Sequence, residues 1–469
     1  MAATRTAAGD GMASESASPS GGPAEAWNVY QPHDQRPWDL RQAAHLYRRA
    51  AFGGAWAELQ QAFQDGPART IDRLVRPPGD MSTFQRSYDG YDQAAGPAGT
   101  DDTARAWWLR RMIESPHPLL EKMTLFWHSH FGISRTRVVK GTMMVSLVHV
   151  LRRHALGNYA DLLAAALRLP AVVRGLEADG NRKSRLNANL ARQLLAQYGP
   201  GVGEFDEQDV RETARALTGW LMLRDDLRFV DREFDGGPKR ILGQAGNWNA
   251  DDAVRIVLQQ PATARHLVRS VYRWLISETD EPDAQLLAPL TASFHRDYDI
   301  GRLVETMLRS NRFFSAAAYR QRVRSPVELA LGMIRPLEGN VPTLRLGSDL
   351  AALGQDLLRP PTVKGWFGGR YWLNPAAMTG RVNLAAALLT PGGAYGAGLD
   401  AHAVARRHGR SDPAAAAKFL VELLLGGDVS TQVRDRLAER AARGGANDLP
   451  ERLREAAQDL CTLPEFQLA

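Results

Sequence analysis

Helical punctuation, repeated along the chain, is the feature that most constrains this fold. Stretches with apolar residues three and four positions apart follow one another, many opened by a capping residue or proline and several closed by glycine. That spacing specifies helices burying one face, whereas strands would alternate with period two. "DLRQAAHLYRRAAFG" (39–53) stops at Gly53-Gly54. "SPHPLLEKMTLFWHSHF" (115–131) offers Ser115 as N-cap with Pro116 at the first helical position. "DEQDVRETARALTGW" is capped by Asp206 and ended by Gly219. "SPVELALGMIR" (325–335) opens on a Ser325-x-x-Glu328 capping box, and a late helix runs from Pro413 to Leu425.

Strand signals are few. "RFVDREFDGGPKRILG" (228–243) holds the best pair, a short "RFV" and "RIL" around a Gly-Gly turn. No β-α-β alternation, phosphate loop or fixed-period repeat occurs. The expected fold is therefore mainly α, a large multi-helix domain with a minor β segment near 228–243. Residues 1–35, whose first part is "MAATRTAAGDGMASESASPSGG", are expected to be a disordered tail, because small polar residues cannot bury enough apolar surface to offset ordering. "DMSTFQRSYDGYDQAAGPAGTDD" (80–102) is expected to form a polar loop.

Composition excludes some functions. Against 58 Lys and Arg stand 52 Asp and Glu, a net +6, and the cations are interleaved with acids rather than grouped. A nucleic-acid groove would cluster them, so none is expected. The lone Cys461 allows no intrachain disulfide and no cysteine-based zinc site. "MMVSLVHVL" (143–151) falls short of the ~20 residues a membrane helix needs, and no apolar leader precedes the helices, so a soluble cytoplasmic protein is expected.

His128 and His130 in "LFWHSHF" are the first chemical candidates. Ligands at i and i+2 share a face on a strand but diverge by ~200° on a helix. The apolar spacing from Leu119 to His130 favours helix, so one histidine is expected to pack inward and the other to face out or bond a carbonyl. "KGWFGGRYWLN" places Trp366, Phe367, Tyr371 and Trp372 in a glycine-broken loop, able to stack on sugar rings or to pin the loop to the core. Arg192 and Arg215, mid-helix among apolar residues, are expected to pair with Glu212 or Asp209.

In order along the chain stand "HLYRRAAFG", "LLEKMTLFWHSHF", "LRRHALGN", "DVRETARALTGW", "FDGGPKRILG", "RSPVELALG", "GQDLLRPPTVKGWFGG" and "WLNPAAMTGRVNLA". This series resembles the bacterial family called domain of unknown function 1800, over roughly residues 43 to 390. The resemblance implies a helical fold and no particular reaction. It divides the chain into the tail (1–35), the family domain (36–390) and a C-terminal helical extension (391–469) packed on it.

The chain also departs from the family. Where relatives carry three glutamates, "NANLARQLLAQ" has Ala188, Gln193 and Ala196, and the family's His-Asp becomes Phe234-Asp235. Three carboxylates within an arc of ~140° on a helix would need a cation among them, so the resemblance implies an acidic site in relatives that is degenerate here. His128, His130, Asp235 and Arg192 are the catalytic candidates, and Asn187, Asn189, Gln193, Trp366 and Trp372 the binding ones. His128, His130, Asn189, Gln193 and Asp235 are expected to lie near one another. Neither metal nor cofactor is expected. The preferred function is a non-catalytic or catalytically degenerate helical binding or assembly protein, with a protein or polysaccharide partner. The alternatives are a metal-assisted hydrolase or transferase acting on polysaccharide or peptide, and a carbohydrate-binding module.

Overall fold

In the computed structural model, which describes residues 22–96, 100–138 and 140–469, the punctuation seen in the sequence becomes helix after helix. The described residues form 23 α-helices and two small two-stranded antiparallel sheets, a mainly α fold. The caps act as their chemistry requires. Asp39 accepts from the Gln42 N–H at 2.9 Å ahead of the helix Leu40–Ala50. Ser325 and Glu328 close a reciprocal box at the start of Pro326–Ile334. Ser115, by contrast, does not cap the histidine helix. Its hydroxyl oxygen accepts from the His117 N–H, and the helix Pro118–Phe131 begins at the second proline.

One hydrophobic cluster runs from Trp27 to Phe466 and takes in the C-terminal helices Pro413–Leu425 and Leu449–Thr462. No helix among the described residues is long and apolar enough to cross a membrane.

Three expectations are corrected. Residues 1–21 lie outside the described residues, but order begins well before residue 36. Trp27 is buried and donates through Nε1 to the Leu286 carbonyl at 2.6 Å, while the Tyr30 N–H bonds to the Arg309 carbonyl at 2.8 Å. Two large aromatics supply the apolar area that the residues before them lack.

The expected polar loop at 80–102 contains the helix Ser82–Ala95. Phe84, Tyr88 and Tyr91 stand at i, i+4 and i+7, and their rings pack in sequence, tilted, with centroids 4.8 and 5.6 Å apart. The Tyr88 hydroxyl donates to Glu114 at 2.6 Å, and the buried Arg111 lies 4.8 Å from its ring. Polar composition concealed an aromatic stripe at helical spacing.

The β pairing also differs. Trp220–Leu223 pairs with Asp226–Phe229, and Lys239–Ile241 with Gln244–Gly246. Each strand takes the nearest partner across a two-residue turn. Leu242 and Gly243 both have positive φ, 46° and 82°, as such a turn demands.

Candidate functional site

The last turn of Pro118–Phe131 is overlaid by the loop from Thr362 to Trp372, and a cleft opens between them. Gly132 ends the helix in the left-handed region, φ 62°, and any side chain there would overlap the backbone of Val363. Gly365, φ 86°, is held as closely against the carbonyl and hydroxyl of Ser129. These two glycines let loop and helix touch backbone to backbone. The Thr362 hydroxyl donates to the Gly365 carbonyl at 3.2 Å, and Gln193 clamps the loop from below, its Nε2 donating to the Val363 carbonyl at 2.9 Å.

The cleft has a volume of about 260 Å³. Phe126, Trp274, Trp366 and Trp372 supply aromatic walls, and His130, Glu278, Arg322 and Gln355 supply polar groups. At its mouth Phe367, which lines it, and Tyr371 beyond are 61% and 69% exposed, with ring centroids 5.1 Å apart. Aromatic surface therefore continues from the cleft onto the protein exterior.

Behind the cleft lies a buried ion cluster. Glu328, on the first turn of its helix, accepts from Lys122 Nζ at 2.5 Å, from Arg322 Nη1 and Nη2 at 3.0 and 3.1 Å, and from the Ser325 N–H at 2.8 Å. Burial opposes ionisation of this carboxyl, but Arg322 and Lys122 prevail and hold it well below its usual range. Burial pushes Lys122 down to about 8, the nearby Glu328 charge only partly countering it. Arg322 also stacks over Trp274 at 4.4 Å and lies 4.0 Å from Glu278. Glu278 in turn accepts the Val323 N–H at 2.5 Å.

The two histidines are divided as helical geometry requires. His128 lies against Trp108 and Trp366, centroids 5.1 and 5.5 Å away. His130 meets Phe126, Tyr198 and His266 at 5.9, 6.0 and 6.5 Å. Both rings are buried, which corrects the expectation that one would face outward. The helix end is covered by the 362–372 loop on one side and the Tyr198 region on the other. Burial pushes each imidazole down to about 3, with the nearby His266 adding to the effect at His130. Among the described residues neither nitrogen of His128 has a hydrogen-bond partner, nor does His130 Nε2. Among the described residues no group of three or more His, Cys, Asp or Glu side chains could hold a metal ion.

The remaining candidates scatter. Asp235 is engaged by Arg215, with Nε and Nη2 at 2.7 and 3.1 Å, and by the Gly237 N–H at 3.0 Å. The Arg215 hydrogen bond holds its carboxyl below the ordinary value. Arg215 pairs with Glu212 as expected, but Arg192 reaches Glu207, at 2.6 and 2.8 Å, on an exposed surface. Asn187 donates to the Glu177 carbonyl and accepts the Asn189 N–H, bracing the turn that enters Asn189–Ala196. Thus His130, Trp366 and Trp372 line the cleft, His128 and Gln193 support its loop, and Asp235, Arg192, Asn187 and Asn189 bond elsewhere.

Sequence reasoning missed Glu278, Trp274, Arg322 and Gln355. Arg322 precedes a legible capping box whose second member is Glu328, yet that box signals only a helix start. The convergence of "WLISE", "RVRSPVE" and "KGWFGG" is a long-range fact.

The whole of this geometry falls inside one family match. The model described as "Protein of unknown function (DUF1800)" matches residues 45–468. The chain belongs to the DUF1800 family. The DUF1800 match continues past residue 390, the limit of the resemblance read from the sequence, through the C-terminal helices. No curated protein and no solved structure matches the chain.

Proposed function

We propose that this DUF1800 chain is a non-catalytic binding protein whose cleft receives one ring of a polysaccharide. One observation carries the reading: an aromatic-walled cleft runs out into the exposed Phe367–Tyr371 pair, with Glu278 as its single lining carboxylate. Aromatic faces stack on the apolar faces of sugar rings while polar groups between them meet hydroxyls. At about 260 Å³ the cleft is small beside the ~300–1,000 Å³ of sites for larger ligands, which suits one ring inside and the next on the outer platform. Glycoside hydrolysis ordinarily takes two carboxyl groups flanking the bond. Here Glu278 faces no second carboxylate across the cleft, and Glu328 is committed to Lys122 and Arg322. A metal-assisted hydrolase built on His128, His130 and Asp235 gains no support, since their side chains have separate partners.

The test is affinity electrophoresis through gels containing a panel of polysaccharides. At least one should retard the protein, and Trp366→Ala or Phe367→Ala together with Tyr371→Ala should abolish the retardation. Retardation by none, or retardation unaffected by these substitutions, would remove the proposal.

A further inference from the structure

Resting on that reading of the cleft as a sugar site, we infer that its ligand is acidic: a polysaccharide whose rings carry an anionic group, a carboxylate or a sulfate ester. The charges lining the cleft are unequal. Arg322 is already paired with Glu328, and the two remaining cations of the lining, Arg273 and Lys364, face one acid, Glu278. Glu278 already accepts the Val323 N–H, so part of its acceptor capacity is spent. Among the described residues Lys364 has no carboxylate partner, although it is exposed at the mouth. Arg273 reaches Glu281 at only 3.5 Å, and Glu281 is shared with Arg269.

The uncharged groups lean the same way. The indole Nε1 atoms of Trp274 and Trp366 belong to cleft-lining residues, are buried, and have no acceptor. An indole N–H can only donate. Gln355 spends its carbonyl oxygen on the Val327 N–H at 2.9 Å, which leaves its amide nitrogen as a further donor. The wall thus holds more donors and cations than acceptors. A buried donor without an acceptor is costly, so the complementary ligand brings acceptor oxygens and negative charge.

Isothermal titration calorimetry of the full chain tests this with four probes: a galacturonate hexamer, its neutral methyl ester, a chondroitin sulfate hexamer and cellohexaose. The acidic hexamers should bind about tenfold tighter than the methyl ester, in keeping with charge-assisted hydrogen bonds. That advantage should shrink as salt is raised. Lys364→Gln, on the exposed rim, should lose about two- to fivefold for the acidic hexamers and clearly less for the neutral ones. The preferred acidic hexamer identifies the anion as carboxylate or sulfate ester. Equal binding of acid and ester, both lost in Trp366→Ala, would overturn the acidic-ligand inference and leave the sugar site standing. Binding of none of the four by correctly folded protein would overturn both.

Discussion

Acid should destabilise this protein through its buried histidines, and the effect can be isolated residue by residue. His128 is fully buried, its ring packed between Trp108 and Trp366 with neither nitrogen bonded, and burial alone pushes it down to about 3. In the unfolded chain it titrates near ~6.5. Between those values the unfolded state binds the extra proton, so stability is full above the unfolded value and falls as pH drops from there towards 3. At pH 5 the loss from this one ring is roughly 2 kcal/mol, and His130, pushed equally low, should add a similar amount. His128→Phe keeps an aromatic ring against Trp366 and removes the proton site. Urea unfolding followed by tryptophan fluorescence at pH 7.5 and 5.0 gives the drop for each protein. The variant's drop should be smaller than the wild type's by roughly 2 kcal/mol, whatever its stability at pH 7.5. Identical drops would refute the placement of His128 as an unpartnered neutral ring.

Three further outcomes follow from the same geometry. Glu328→Gln removes the acid that Lys122 and Arg322 share and should cost about 3–5 kcal/mol in urea unfolding, because two buried cations lose their closest counter-charge. Gly365→Ala sets a methyl group against the Ser129 backbone at φ 86°, so the loop should lift: amide exchange in 362–372 should quicken and polysaccharide retardation should weaken, while exchange in the Pro413–Leu425 helix stays unchanged. Asp235→Asn breaks a part-exposed pair with Arg215 away from the cleft, and should lower stability by only about 1 kcal/mol with no effect on polysaccharide binding.

What could be read from the sequence was what local chemistry decides. The caps at Asp206 and Ser325 announced helix starts, and Pro413 to Leu425 forms as its pattern indicates. The i, i+2 spacing of His128 and His130 already implied different surroundings for the two rings. Failures came where a weak local signal competed with a composition. Residues 80–102 are polar, yet Phe84, Tyr88 and Tyr91 define an aromatic stripe at helical spacing, with Tyr88 buried. "RFV" and "RIL" have strand character, but each pairs across the shorter turn beside it. The cleft was legible only in pieces. Trp366 and Trp372 were marked by their aromatic loop, whereas Glu278 and Trp274 carry no local sign of a site. They acquire one from segments brought together by Gly132 and Gly365.

The central claim is that the cleft binds a sugar chain and leaves it intact. The most direct measurement is saturation binding of the best-retained oligosaccharide to the full chain, followed by mass spectrometry of the sugar recovered after prolonged incubation. The account predicts one saturable site per chain, lost in Trp366→Ala, with the oligosaccharide returned at its original mass. No saturable binding, or recovery of shortened or modified sugar, would contradict it.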